Sequence, residues 1–206
     1  MQESTRNSYE EYQFKQYFID DPTYNIPYEI EHVDATSWIE DTNYIYIILS
    51  GIAVEKQGEK IIHILGANEF IGIGNIFRKS NNSSIMALTS VTLVKMATED
   101  ILRKLKERTY GMEILINVLN NRILELGERY SNSQNNEENV LLALRKLASG
   151  ATEKNEDGNY HIRGFSEKMM ANYLNLSIRQ VHSVYNNLAR NGYISCSSEE
   201  IILYSI

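Results

Sequence analysis

The stretch from Phe165 to Gly192, FSEKMMANYLNLSIRQVHSVYNNLARNG, leaves this chain few ways to fold. Ser166 is a good N-cap, because its hydroxyl accepts a bond from an amide one turn on. Met169, Met170, Tyr173 and Leu174 then recur at helical spacing. Asn175 falls where a corner between two helices needs a left-handed residue, a conformation that Asn tolerates. Ser177 caps a second helix whose apolar stripe is Val181, Val184, Tyr185 and Leu188, and Gly192 ends it. Ala171 is small where the two helices must cross closely. The pattern predicts a helix-turn-helix, in which the second helix lies in a DNA major groove. An ordinary helical hairpin has the same local signals, so the rest of the chain has to decide.

Upstream, the period of the pattern changes. YEIEHV, NYIYIIL, GIAVEK, KIIHIL, NEFIGIG and VTLVKM, between residues 28 and 98, are short Ile-, Val- and Tyr-rich segments. Gly or Asn separates them, which predicts a small β-barrel or roll. Residues 9–19 place Tyr12, Phe14, Tyr17 and Phe18 on one side of a helix ahead of it. Thr98-Glu99-Asp100 opens a short helix, and a long one follows from about Tyr110 to Ser133. In the long helix Met112, Ile116, Leu119, Ile123, Leu126 and Tyr130 alternate by four and three, the heptad a/d spacing. Ile114, Leu115, Val118 and Leu124 form a second stripe. One stripe can lie on the roll and the other on a partner helix, so a homodimer is expected. Gly127 sits inside this helix as a close-contact or flexible point.

Residues 131–139, SNSQNNEEN, read as a linker. Val140 to Leu147 reads as a helix, 149–159 as a polar loop, and Tyr160 to Ile162 as a short strand. YISC and IILYSI after Gly192 form a hairpin, which makes the C-terminal module a winged helix. The expected architecture is α+β. A cupin-like roll occupies 1–108, a dimerisation helix and linker 109–135, and a winged helix-turn-helix 136–206.

Charge and cysteine usage narrow the function. The chain carries a net −7 over 206 residues. Residues 140–206 hold seven Lys/Arg and six Asp/Glu, a net +1, which leaves −8 on residues 1–139. A near-neutral module on an acidic body suits a DNA reader with a modest phosphate footprint. Cys196 stands alone, which excludes a disulfide framework, a zinc cluster and a cysteinyl iron–sulfur centre. No apolar run reaches membrane-spanning length and no signal pattern opens the chain, so a cytoplasmic protein is expected.

The order of roll, long helix and winged helix resembles the Crp/Fnr superfamily of bacterial transcription regulators. FIGIGNIF at 70–77 is similar to that family's F-[IL]-G-E-x-x-[LF]-F corner, and Leu49, Gly51, Ile52 and Val54 echo its LxxGxIxV strand pair. The resemblance implies a homodimer on a pseudo-palindromic DNA operator, with two reading helices about 34 Å apart. It also implies an effector pocket at Gly72, Ile73, Ser83 and Ser84. Cyclic-nucleotide-binding members have a Glu where Ile73 stands and Arg-Ser where Ser83-Ser84 stand. A buried phosphate without its cation loses a charge-assisted partner, so no tight cAMP or cGMP site is expected and any small-molecule effector is unknown. His32 and His63 are isolated strand histidines, and no haem, metal or other cofactor is expected.

For DNA, the resemblance maps base reading onto Ile178, Arg179 and Ser183. Ser166, Ser177 and Gln180 map onto phosphate-contacting or adjacent positions. Arg179 can bond guanine O6 and N7 bidentately, Gln180 can do the same for adenine, and His182 can donate to a base or phosphate. A solvated helix face is the alternative for each. The wing turn Ser197-Ser198-Glu199-Glu200 is acidic and disfavours close backbone contact. The loop at 149–159 occupies the place of the family's RNA polymerase contact. An enzyme on a cupin-like roll would cluster His and Glu ligands, a pattern missing from this sequence. A regulator that binds small molecules or proteins without reading DNA is the remaining alternative, suggested by the net charge.

Overall fold

In the computed structural model the described residues are 15–40, 43–76, 83–131, 135–150, 158–197 and 200–204. Eight strands build the roll: β1 (Tyr28–Val33), β2 (Trp38–Ile39), β3 (Tyr44–Ser50), β4 (Ala53–Gln57), β5 (Lys60–Leu65), β6 (Phe70–Ile71), β7 (Ser84–Ala87) and β8 (Val91–Ala97). They form two four-stranded antiparallel sheets, ordered β1-β8-β3-β6 and β2-β7-β4-β5. Tyr46, Ile48, Ile71 and Leu93 from the first sheet meet Ala53, Leu65, Ile85 and Ala87 from the second in the roll interior. The other face of each sheet is covered as well. This explains why β3 reads YIYIIL rather than alternating: Ile45 and Ile47 are as buried as Tyr46 and Ile48. Gly51 joins β3 to β4 at φ 90°, where a Cβ would overlap the Ser90 carbonyl and the Val91 side chain.

The outer face of the first sheet carries α1 (Thr98–Glu107) and the long helix α2 (Thr109–Ser131). Ile45, Ile47, Phe70, Val94 and Met96 pack there against Ile101, Leu105, Ile114, Leu115 and Val118. The segment 15–26 closes over this cluster with Phe18 and Ile26. Lys104 of α1 fastens it. Its fully buried ammonium donates to the carbonyls of Tyr17 and of Tyr24 (2.7 Å), and pairs with Asp21 at 3.1 Å. It also lies 4.7 Å from the centre of the Tyr17 ring and 5.4 Å from that of Tyr24. The Thr23 hydroxyl and amide, and then Lys104, hold the Asp21 carboxyl well below the usual carboxylate range. Lys104→Met leaves two carbonyls without their charged donor and is expected to cost about 3 kcal/mol. Urea denaturation would measure it, and an unchanged midpoint would show that the ammonium does not hold this segment.

The outer face of the second sheet is covered by the C-terminal module. This comprises α3 (Asn136–Gly150), β9 (Tyr160–Arg163), α4 (Glu167–Leu174), α5 (Ile178–Arg190), β10 (Ile194–Cys196) and β11 (Glu200–Leu203). The strands form a sheet in the order β10-β11-β9. Ile52, Val54, Ile61, Ile64 and Leu88 of the roll share one apolar cluster with Val140, Leu144, Leu147, Tyr173, Val181 and Leu188. Helix α3 begins four residues before the expected Val140 and runs past the expected Leu147. Asn135 and Glu138 explain the early start: Asn135 Oδ1 accepts from the Glu138 amide at 3.2 Å, and Asn135 Nδ2 donates to the Glu138 carboxylate at 2.9 Å. A sequence that reads as a polar linker is in part a helix N-terminus, with Glu137 and Glu138 favourably placed in the first turn.

Candidate nucleic-acid interface

The corner between α4 and α5 is built by the residues that its sequence singled out. Ser166 Oγ accepts from the Met169 amide, and Asn175 ends α4 in the left-handed conformation at φ 57°. Ser177 opens α5 with a reciprocal cap. Its Oγ accepts from the Gln180 amide at 3.2 Å, and its own amide and hydroxyl donate to Gln180 Oε1 at 2.9 and 2.8 Å. The Gln180 carboxamide oxygen is therefore committed to fixing the start of the helix. The S-x-x-Q spacing carries that signal, beside the phosphate-adjacent or base-reading roles expected of this residue.

Val181, Val184, Tyr185 and Leu188 turn α5 inward, and Ala171 is buried at the crossing with 5% of its surface exposed. The opposite face presents Ile178, Arg179, Gln180, His182 and Ser183 to solvent, with Ile178 half exposed. Ser166 and Ser177, at the starts of the two helices, are exposed too. Among the described residues Arg179 makes no ion pair. His182 does not stand free: its Nδ1 lies 3.1 Å from Glu167 Oε1 of α4 and ties the two helices together. In the hairpin, Glu200 belongs to β11, where its carboxylate meets His161 Nδ1 at 3.1 Å and Arg163 Nε at 3.0 Å on β9. The hydrogen bonds from His161 and then Arg163 lower its pKa. One of the two acids read as a repulsive wing is thus matched internally, while Ser198 and Glu199 lie outside the described residues.

Helix α2 has two apolar faces. Ile114, Leu115 and Val118 are buried against the roll, with 4% exposure or less. On the other side Ile116 and Ile123 are 61% and 66% exposed, and Met112 and Leu124 are exposed with them. Leu119 and Leu126 are half-buried along the same stripe. The side chain of Tyr130 lies outside the described residues. Gly127 has open space where a Cβ would stand.

The four pocket candidates stand in different surroundings. Gly72 turns the corner at φ 81°. Ile73, 1% exposed, packs with Ile101 and Leu105 between the corner and the helices. Ser84 is exposed on β7, and Ser83 Oγ is buried without a hydrogen-bond partner among the described residues. Residues 77–82 of this corner are outside the described set. His32 is exposed and bonds Thr92 Oγ1 at 3.1 Å, whereas His63 is buried. No group of three or more His, Cys, Asp or Glu suited to a metal ion occurs among the described residues. No described helix is long and apolar enough to cross a membrane.

A two-sheet roll joined through a long helix to a two-helix corner with a hairpin defines the class of fold. Residues 39–108 match the family model described as the cyclic nucleotide-binding domain. Solved structures extend the likeness to the C-terminal module. A CRP/FNR-family transcriptional regulator from Thermus thermophilus is 18% identical over 86% of this chain and 94% of its own, with a TM-score of 0.67. FixK2 from Bradyrhizobium japonicum is 12% identical over 87% of this chain and 94% of its own, with a TM-score of 0.68. CLP from Xanthomonas campestris, described as a c-di-GMP-responsive global regulator, is 16% identical over 87% and 95%, with a TM-score of 0.62. A search of curated proteins found no match. Residues 39–108 are thus similar to the cyclic nucleotide-binding domain, and the chain shares its fold with solved CRP/FNR-family regulators.

Proposed function

We propose that the protein is a homodimeric, sequence-specific DNA-binding transcription regulator that works without bound cAMP. In this reading residues 136–206 are a winged helix-turn-helix, 109–135 the dimerisation helix with its linker, and 1–108 the sensor. The observation that carries it is the division of labour on α5. One face is buried in the module, and the other offers Ile178, Arg179 and Ser183 in a row at the start of a doubly capped helix. A capped, rigid start is what base reading in a major groove requires of its first turn. Arg179 reads a guanine, Ile178 and Ser183 flank it, and Ser166 and Ser177 approach phosphates at the two helix starts. Gln180 positions the helix, and His182 braces it through Glu167.

The stripe of exposed Met112, Ile116 and Ile123 and half-buried Leu119 and Leu126 on α2 meets its copy in a partner, with Tyr130 continuing it and Gly127 allowing close approach. Ser83-Ser84 stand where Arg-Ser would hold a cyclic phosphate, and Ile73 is spent on the core, which supports independence from cAMP and cGMP. RNA polymerase is a further partner, with the 149–159 segment as the contact. The protein is a regulator rather than an enzyme, acting in the cytoplasm.

Selection of bound fragments from the source genome supplies the operator. On that operator Arg179→Ala is expected to lower affinity at least tenfold and to relax one base position, with the dimer intact. A gel-shift titration that gives equal affinity and equal sequence preference would remove Arg179 from the reading set. Failure of the wild type to enrich any fragment, with no salt dependence, would favour a regulator that does not read DNA.

A further inference from the structure

The seat of the C-terminal module on the roll is not purely apolar. Lys146 of α3 reaches two carboxylates from different parts of the fold. Its Nζ lies 2.6 Å from Glu125 Oε1 on α2 and 3.3 Å from Glu69 Oε1 in the corner between β5 and β6. The second Glu69 oxygen accepts from the Gly66 amide, and the Glu69 backbone bonds Ile48 of β3, so this carboxylate is fixed to the corner. Around the triad, Arg122 donates to the Phe70 carbonyl at 2.6 Å and Arg129 to the Ile62 carbonyl at 2.8 Å. Arg129 also stacks 4.3 Å from the centre of the Tyr173 ring on α4. Asn172 of α4 donates to the Glu59 carbonyl at 3.2 Å in the turn between β4 and β5. Burial opposes the charge on Lys146, and Glu69 and Glu125 more than offset it, leaving its pKa above the ordinary value.

At its C-terminal end α3 meets the roll by close approach. A Cβ on Gly150 would stand 2.7 Å from Ile52 Cγ1. To the apolar seat the module thus adds one tight steric contact and one shared cation. In a partly buried ion pair the desolvation cost offsets much of the attraction, so displacing one carboxylate weakens the tie. Glu69 stands two residues before Ile71 and three before Gly72, at the entrance to the corner that carries the pocket candidates.

We propose that Lys146 is the pin of an ionic latch that holds the module on the roll, and that movement of the 66–76 corner releases it by withdrawing Glu69. The latch is a property of the fold. Only its effect on DNA rests on the regulator reading above. In the docked state Glu69, Glu125 and Lys146 fix the angle between α2 and α3, and with it the direction in which α5 faces. Withdrawal of Glu69 leaves Lys146 with Glu125 alone, so the module stays tied to α2 and loses its ionic tie to the roll, which loosens the apolar seat without dissolving it.

Hydrogen exchange on the full-length protein tests this without DNA. Lys146→Met and the steric variant Gly150→Val are each expected to speed exchange of the β5 and α4 amides at least tenfold, while β3 stays protected. Glu69→Gln should give a smaller rise at the same places, and Lys146→Arg should restore protection. Wild-type exchange in Lys146→Met would overturn the latch. So would acceleration spread evenly into β3, which marks general destabilisation. In parallel, Lys146→Met should change operator affinity at least fivefold with Arg179 intact; unchanged affinity despite faster exchange would overturn the link between latch and reader. If the wild type binds no DNA at all, the regulator reading falls, and the exchange result alone judges the latch.

Discussion

A chain carrying Ile116→Glu and Ile123→Glu is expected to be a folded monomer that binds its operator roughly 100-fold more weakly or worse. The two side chains are the most exposed large aliphatics of α2, at 61% and 66%, and contribute nothing to the roll core. A charge there leaves Ile114, Leu115 and Val118 in place, so the monomer keeps its fold. In a symmetric pair each glutamate faces its own copy, and two carboxylates buried together cost more than either would alone. Operator binding suffers because a dimer binds its second half-site intramolecularly, and a monomer does not. Light scattering with a gel shift on the selected operator checks both parts. A double variant that stays dimeric would move the interface off this stripe.

The second large effect is acid sensitivity from His63. Burial, followed by the nearby Arg122 guanidinium, pushes its pKa from 6.5 down to about 3. Lys146 and Arg129 act in the same direction, and Glu125 opposes them. The folded protein therefore keeps His63 neutral at a pH where the unfolded chain protonates it. Stability from this residue is complete above pH 6.5 and is lost as pH falls toward 3, at about 1.4 kcal/mol per unit. Between pH 7 and 5 that amounts to about 2 kcal/mol. His63→Gln is expected to remove that part of the acid slope while the carboxylate part remains. Urea unfolding at a series of pH values measures it, and parallel slopes for the two proteins would show that His63 charges freely in the fold.

Features that act within one or two turns were legible in the sequence. Ser166, Asn175 and Ser177 are where the helical corner required them, because caps and left-handed turns are local chemistry. The two stripes of α2 were legible in part for the same reason: spacing separates Ile114, Leu115 and Val118 on the roll from Ile116 and Ile123. But Leu124, grouped with the first set, lies exposed, and Leu119, grouped with the second, packs against the roll cluster. The start of α3 was misread because NNEEN has the composition of a linker, while the Asn135–Glu138 cap depends on the relative position of two residues. Gln180 depends on relative position in the same way, since its cap on Ser177 three residues away is a matter of spacing rather than residue type. Lys104 and Lys146 carried no local signal. Their partners lie 80 and more positions away for Lys104, and 77 and 21 for Lys146, and only the closed roll brings them together.

The apolar cluster that runs from β4 and β5 into α3, α4 and α5 also bears on how the protein melts. Two domains joined only by a linker lose their structure independently, each at its own temperature. Here the inner residues of the helical module have no complete core of their own, because Ile52, Val54, Ile61 and Ile64 supply part of it. Loss of the roll removes one wall of that core, so roll and helical module are expected to share a single cooperative transition. A lesion deep in the roll, far from α5, then reaches the C-terminal helices through heat tolerance alone.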